Sequence, residues 1–201
     1  MFNGKPIIGL LGGIGAGKSH VAALMGQMGC FVIESDAVAR QAYSDEEVRS
    51  ALRRWWGTGV FTPEGEVDRG KVAARVFSDA VARQQVEGLI HPLVRKIRER
   101  QMTDRCDDPT VRAFVWDSPL LVETGMYVQC DALVFVEAPL AIRIDRVQKT
   151  RGWDEAELLR REKSQTPLDK KRSLSDYIVV STADADVLRG QVREVLSRIL
   201  A

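Results

Sequence analysis

Short runs of apolar residues alternate along this chain with longer stretches in which apolar positions recur every three or four residues. Five runs have the length of a strand, and they cover residues 7–11, 30–33, 111–116, 132–136 and 177–180. Strands that alternate with helices pair in parallel through right-handed crossovers, and the helices cover both faces of the sheet. The pattern therefore predicts an α/β fold with a five-stranded parallel sheet flanked by helices.

The crossovers between these strands are very unequal in length. Residues 34–110 carry a helical pattern with turns at 57–59 and 62–65, which is too long for one helix. A second helical stretch, rich in Arg and Lys, covers 139–175. We therefore predict a core made of 1–40, 111–138 and 176–201, a helical insertion at 41–110, and a further helical insertion at 139–175.

Composition narrows the class of protein. With 201 residues, 45% hydrophobic and 28% charged, the chain suits one soluble α/β domain with insertions. The net charge of +1 provides no field for nucleic acid or an anionic membrane. No 18-residue apolar window or signal peptide is present, so a cytoplasmic location is predicted. Cys30, Cys106 and Cys130 indicate reduced thiols, and His20 and His91 lack the spacing of a zinc site.

A glycine-rich motif lies between the first predicted strand and the following helical pattern. Residues 12–19 read Gly-Gly-Ile-Gly-Ala-Gly-Lys-Ser, which matches G-x-x-x-x-G-K-[ST]. Loop N–H groups and a helix N-terminus attract anions, Lys18 can reach the β- and γ-phosphates, and Ser19 offers a hydroxyl to Mg²⁺. The motif predicts binding of a nucleoside triphosphate. The candidate residues are Gly13, Gly15, Ala16, Gly17, Lys18, Ser19 and His20.

Acidic residues follow the second and third predicted strands, where open α/β sheets bind ligands. Asp36 could accept the proton of an attacking hydroxyl, or it could cap a helix at 37–43. Asp117 could hold a Mg²⁺-bound water, or it could cap a helix ahead of Pro119. Glu123 could belong to the same site or lie on a helix surface. The residues alone leave these alternatives open.

Two further features have both structural and functional interpretations. His91 precedes Pro92 inside a helical pattern, and the proline is expected to kink or restart the helix. The segment 143–172 contains ten Lys or Arg residues, most of which we expect on a solvated face. Phosphoryl transfer also requires a cation over the developing charge and a cover that excludes water. A basic helical insertion after the fourth strand could supply both.

Taken together, these motifs resemble those of the dephospho-coenzyme A kinase family over nearly the whole chain. The matching stretches are G-L-L-G-G-I-G-A-G-K-S at 9–19, V-I-E-S-D-A-V-A-R at 32–40, L-I-H-P-L-V-R at 89–95, W-D-S-P-L-L-V-E at 116–123 and T-P-L-D-K-K-R…S-D-Y at 166–177. The resemblance implies a P-loop NTPase fold with a helical substrate-binding insertion and a mobile lid at 139–175. It also implies ATP-dependent phosphorylation of the ribose 3′-hydroxyl of dephospho-CoA.

The resemblance assigns roles by position. Lys18 would hold the phosphates, Asp36 would act on the 3′-hydroxyl, and Arg146 would be a lid arginine that contacts ATP. The implied acceptor-binding residues are Asp36, His91, Arg95, Leu120 and Glu123.

This chain departs from the family pattern at several positions. Glu34 replaces a frequent Asp, and Thr150 replaces a second lid arginine, with Arg151 adjacent. Ser181 and Ala183 stand where Asn and Gly are common near the adenine.

Other functions fit the sequence less well. Another small-molecule or nucleoside monophosphate kinase of the same fold would differ mainly in the helical insertion that selects the acceptor. A GTP-dependent switch would need Asn-Lys-x-Asp, and Asn3 is the only asparagine. A nucleic-acid ATPase is disfavoured by the near-zero net charge. The expected partner is therefore a small molecule, without nucleic acid or membrane.

Overall fold

Five parallel strands form the centre of the computed structural model, which describes residues 1–182 and 184–201. The strands are β1 (Ile7–Gly12), β2 (Cys30–Glu34), β3 (Ala113–Asp117), β4 (Ala132–Glu137) and β5 (Tyr177–Val180), in the order β2-β3-β1-β4-β5. This sheet confirms the predicted α/β fold. Strand β3 begins two residues later than predicted, because the N–H of Val111 donates to Asp108 in a turn and that of Arg112 donates to Gly29.

The strands are nearly continuous apolar runs because helices cover the sheet. Ile8 and Leu10 on β1 and Phe114 on β3 are fully buried. Gly9 is required by close packing, since a Cβ there would lie 2.6 Å from Leu121 Cδ2 and 2.8 Å from Cys130 Sγ. Neighbouring strands end at the same edge, where functional residues are expected.

Helices occupy most of the remaining chain. They are α1 (Lys18–Gln27), α2 (Ser35–Tyr43), α3 (Glu46–Trp56), α4 (Arg69–Ser78), α5 (Ala80–Thr103), α6 (Leu140–Arg151), α7 (Glu155–Glu162), α8 (Leu168–Ser173) and α9 (Ala185–Ile199). Asp45, Asp68, Asp154 and Asp184 cap α3, α4, α7 and α9 by accepting backbone N–H groups. Within the described ranges, none of these helices combines the length and the apolar character needed to cross a bilayer.

The chain divides into two compact units. The larger contains residues 1–35 and 104–201, including the sheet and α6 to α8. The smaller covers 36–103 and is built from α2 to α5, with a core that includes Val48, Leu52, Phe61 and Val86. The helical insertion was predicted at 41–110, and the assignment of 139–175 as a mobile lid stays a prediction.

Pro92 lies inside α5, which continues without a break from Ala80 to Thr103. Of the two expected outcomes, a kink or a restart, the restart is therefore wrong, and the kink stays a prediction.

Candidate nucleotide and phosphoryl-transfer site

The loop between β1 and α1 has the geometry of an anion cradle. Gly12, Gly15 and Gly17 have φ values of 143°, 75° and 98°, which side-chain-bearing residues rarely adopt. Gly17 is the N-cap of α1, and no side chain caps the helix there. The first N–H groups of α1 therefore remain available to an anion, and Ser19 and His20 are exposed in this first turn. The loop fits a phosphate chain.

Lys18 extends along the loop, and its Nζ donates to the carbonyls of Gly12 and Gly13, both at 3.0 Å. Burial lowers its pKa to about 8, and the negative charge of Asp117 opposes this shift. The positive charges of Lys171 and Arg151 lower the pKa further. Because nearby negative charge favours the ammonium form, bound phosphates would raise the pKa of Lys18 again.

Asp117 ends β3 and is 9% exposed, in register with Glu34 at the end of β2. The chain after it forms turns and a short 3-10 helix, Met126–Gln129, instead of a helix at Pro119. The alternative that Asp117 caps such a helix is therefore wrong. Carboxylate and hydroxyl oxygens suit Mg²⁺, so Asp117 and Ser19 fit the predicted metal site by the chemistry of their donors.

Arg146 on α6 connects the phosphate loop to the end of β5. Its Nη1 donates to the Ala16 carbonyl at 3.0 Å and to Ser181 Oγ at 3.1 Å, and its Nη2 donates to the Ser181 carbonyl at 3.3 Å. Ser181 is fully buried. Ala183, the other departure from the family pattern near the adenine, lies outside the described residues. Arg146 is thus at the phosphate loop, as its predicted role requires.

Arg143 and Glu162 also contact the phosphate loop, although the sequence did not single them out. The Arg143 guanidinium forms an ion pair with Glu162 and donates to the Ile14 carbonyl at 3.3 Å. Glu162 accepts the Ile14 N–H at 3.0 Å. Arg143 is only 6% exposed, so it does not belong to the expected solvated basic face. Its position three residues before Arg146 on one helix was the available signal.

Glu123 lies in the turns after β3, so the alternative of a helix-surface carboxylate is wrong. It pairs with Lys171 Nζ at 2.9 Å and accepts the Thr166 N–H at 2.8 Å. Burial raises the pKa of Glu123, but the hydrogen bonds from Lys171 and Thr166 outweigh it, and the net pKa is lowered. Lys171 is 2% exposed and also donates to Gln165. Leu120, in the same turn region, is exposed.

Thr150, which stands where the family pattern has a second lid arginine, and the adjacent Arg151 have different environments. Thr150 donates its hydroxyl to the Arg146 carbonyl at 2.7 Å. The Arg151 guanidinium lies 4.8 Å from the centre of the Trp153 ring, and that of Arg161 lies 4.0 Å from it. Arg151 is exposed, yet its charge affects the pKa of Lys18, so it acts electrostatically on the phosphate loop.

The predicted acceptor residues Asp36, His91 and Arg95 belong to the helical unit. Asp36 lies in the first turn of α2, which begins at Ser35, so it does not occupy the capping position. His91 borders a cavity of about 370 Å³ that is otherwise mostly apolar. Arg95 is paired with Glu99 at 2.8 Å, which raises the pKa of its guanidinium. Acceptor binding by these residues stays a prediction.

A parallel sheet with a lysine-bearing glycine loop after its central strand defines the class of P-loop NTPases. A family model described as CoaE, dephospho-CoA kinase, matches residues 6–186. The dephospho-CoA kinase of Anaeromyxobacter dehalogenans is 35% identical over 192 residues, which cover 95% of this chain and 90% of that protein. The chain belongs to the dephospho-CoA kinase family. It is a kinase, and the resemblance inferred from the motifs is confirmed.

Two solved structures share the fold of this chain. A crystal structure of a protein from Thermus thermophilus superposes with a TM-score of 0.85 at 31% identity, covering 98% of each chain. The dephospho-CoA kinase of Campylobacter jejuni superposes with a TM-score of 0.70 and covers 98% of each chain. At 22% identity, this second likeness bears on the fold alone.

Proposed function

We propose that this kinase transfers the γ-phosphoryl group of ATP to the ribose 3′-hydroxyl of dephospho-CoA, the last step of coenzyme A biosynthesis. The observation that carries the proposal is the convergence of Lys18 and Arg146 on one glycine loop, in a chain of the dephospho-CoA kinase family. The proposed location is the cytoplasm, where ATP is available.

On the nucleotide side, backbone N–H groups of the loop and of the first turn of α1 bind the phosphates. Lys18 gives up its two carbonyl partners and places its ammonium on the β- and γ-phosphates. Arg146 supplies a second cation, already held against the loop by Ala16 and Ser181. Such preorganised charge stabilises the transition state because it needs no rearrangement during transfer.

Ser19 and Asp117 are the residues that would hold Mg²⁺, Ser19 through its hydroxyl and Asp117 through a bound water. When bound, the ion neutralises charge on the phosphates. Asp117 is well placed to keep its carboxylate fixed, since it ends a buried inner strand, β3.

On the acceptor side, Asp36 orients the 3′-hydroxyl and accepts its proton as the oxygen attacks the phosphorus. His91, Arg95, Leu120 and Glu123 are proposed to contribute to acceptor binding. The cavity beside His91, which also involves Tyr43 and Phe77, offers apolar surface to a long acceptor.

An ADP-release assay with identification of the product by mass tests this function. Purified protein, Mg²⁺ and ATP are combined separately with dephospho-CoA, AMP, adenosine, gluconate or shikimate. We expect turnover with dephospho-CoA alone and a product that co-elutes with CoA. Turnover on another acceptor, and none on dephospho-CoA, would refute the proposed acceptor while leaving the phosphate site intact.

The role of Asp36 is tested by Asp36→Asn, which keeps the shape of the side chain but cannot accept the proton. We expect turnover to fall by about 10²–10⁴-fold, with ATP affinity nearly unchanged. Glu47→Gln, an exposed carboxylate of the same unit, is the matched control. Near-normal turnover of the Asn variant would exclude Asp36 as the base.

A further inference from the structure

One carboxylate of the chain occupies the phosphate loop itself. Glu162, the last residue of α7, accepts the N–H of Ile14 at 3.0 Å and is ion-paired with Arg143, which donates to the carbonyl of the same residue. The side chains of Arg143 and Glu162 are only 7% and 14% exposed. The pair therefore binds the backbone on both sides of Ile14, through its N–H and its carbonyl.

We propose that Glu162 is a tethered competitor of the nucleotide phosphates, and that it must leave the Ile14 N–H when a triphosphate binds. This inference rests on the proposed use of ATP at the loop. Amides of a G-x-x-x-x-G-K-S loop bind anions, and a carboxylate is an anion of this kind. Glu162 thus holds a loop amide in the way a phosphate oxygen would.

The charge of Glu162 acts on the lysine that binds the phosphates. Its carboxylate accepts a backbone N–H of the same loop whose carbonyls at Gly12 and Gly13 bind the Lys18 ammonium. The Glu162 carboxylate repels a phosphate bound at Lys18, because the carboxylate and the phosphate are both negatively charged. Glu162 therefore raises the free energy of the nucleotide-bound state for as long as it remains in place.

The surroundings of Glu162 offer it an alternative position. The residue borders a groove of about 390 Å³ that is also lined by Lys163, Gln165 and Thr166. A carboxylate displaced from Ile14 can turn into this groove towards Lys163. Arg143, whose Nε is buried without a hydrogen bond, would then carry an unneutralised positive charge beside the loop.

Competition and simple bracing of the loop predict opposite results for Glu162→Gln. If Glu162 competes, Glu162→Gln removes the repelling charge and leaves Arg143 uncompensated, so triphosphate affinity rises. Arg143→Gln leaves a carboxylate uncompensated, so affinity falls. If the pair only braces the loop, both variants weaken binding.

The test measures the binding of ATP, ADP and inorganic tripolyphosphate by calorimetry to the full-length protein and its variants. We expect Glu162→Gln to bind ATP and tripolyphosphate about tenfold more tightly, with a smaller gain for ADP. Glu155→Gln, which makes the same change of charge at an exposed position of α7, should match the wild type. Equal or weaker triphosphate binding by Glu162→Gln would overturn the inference.

A second measurement uses the unaltered protein and does not depend on a variant that folds. Carbodiimide labelling followed by mass spectrometry reports the accessibility of each carboxylate. Saturating tripolyphosphate should increase the labelling of Glu162, while that of the exposed Asp145 stays constant. A Glu162 that stays protected would overturn the inference. A wild-type protein that binds neither ATP nor tripolyphosphate would instead refute the proposed function, and the inference with it.

Discussion

Replacing Lys171 by methionine removes one charge from a deeply buried ion pair. Lys171 Nζ lies 2.9 Å from Glu123, and the two side chains are 2% and 18% exposed. At this distance, with an effective dielectric constant of about 20, the Coulomb attraction is about 6 kcal/mol before desolvation is subtracted. Removing one partner of such a pair typically destabilises a protein by about 3–5 kcal/mol, because the other charge remains buried.

We expect Lys171→Met to lower the free energy of unfolding by about 3 kcal/mol. For a chain of this size, that corresponds to a fall in Tm of about 6–12 °C. Urea unfolding followed by circular dichroism measures the change without adding salt that would screen the charges. Lys149→Met is the matched control, since the Lys149–Asp145 pair is 72% and 57% exposed and should contribute less than about 0.5 kcal/mol.

The same pair predicts a dependence on pH. The pKa of Glu123 is lowered from its ordinary value of 4.5, so the folded state binds fewer protons there than the unfolded state. The contribution of Glu123 is therefore complete above pH 4.5 and is lost as the pH falls through the lowered folded-state pKa. The difference in stability between wild type and Glu123→Gln should shrink over that interval. A change below 1 kcal/mol for Lys171→Met, or a difference independent of pH, would refute this reasoning.

Three other predictions concern the packing and charges of the larger unit: a pair of glycine substitutions, the titration of Lys18 and the replacement of Arg146. Gly9→Ala should lower the free energy of unfolding by about 1–3 kcal/mol, because its Cβ would overlap Leu121 and Leu133. Gly190→Ala, in open space on α9, should raise it by about 0.4–1 kcal/mol in the same urea experiment; equal effects would contradict the packing argument. The Lys18 ammonium, followed by NMR, should titrate near pH 8 and move upward on addition of ADP; a pKa above 10 in the free protein would contradict the role of burial. Arg146→Gln should weaken ATP binding by about tenfold, since hydrogen bonds to charged groups contribute about 1.5–3 kcal/mol; unchanged calorimetric affinity would exclude a contact with the phosphates.

The sheet and the phosphate loop could be predicted from the sequence because both depend on local patterns. A run of apolar residues identifies β1 by itself, and the motif at 12–19 contains its own left-handed glycines. Strand ends were less certain, since the start of β3 depends on a hydrogen bond from Arg112 to Gly29. That contact joins residues far apart in the chain.

The charged contacts of the site could not be predicted in the same way. Arg143 and Glu162 contact Ile14, which is more than a hundred residues away in the sequence. Lys171 contacts Glu123, which lies in turns that no hydrophobic periodicity predicts. On sequence alone, a lysine in a basic helix is most often solvated, and only the tertiary fold shows that Lys171 is buried. Sequence patterns identify functional residues that belong to a local motif. They do not identify ion pairs that form only when segments far apart in the sequence pack together.

The position of β1 in the middle of the sheet also affects how the protein unfolds locally. β1 is hydrogen-bonded to β3 on one side and β4 on the other, whereas β2 and β5 are edge strands. Amides of a central strand exchange with solvent only through the largest unfolding events, while the edges open more readily. The base of the anion cradle should therefore persist in partly unfolded forms in which both edges have already detached. Such forms would keep a feature that binds phosphate, so that nucleotide could stabilise intermediates of refolding as well as the native state.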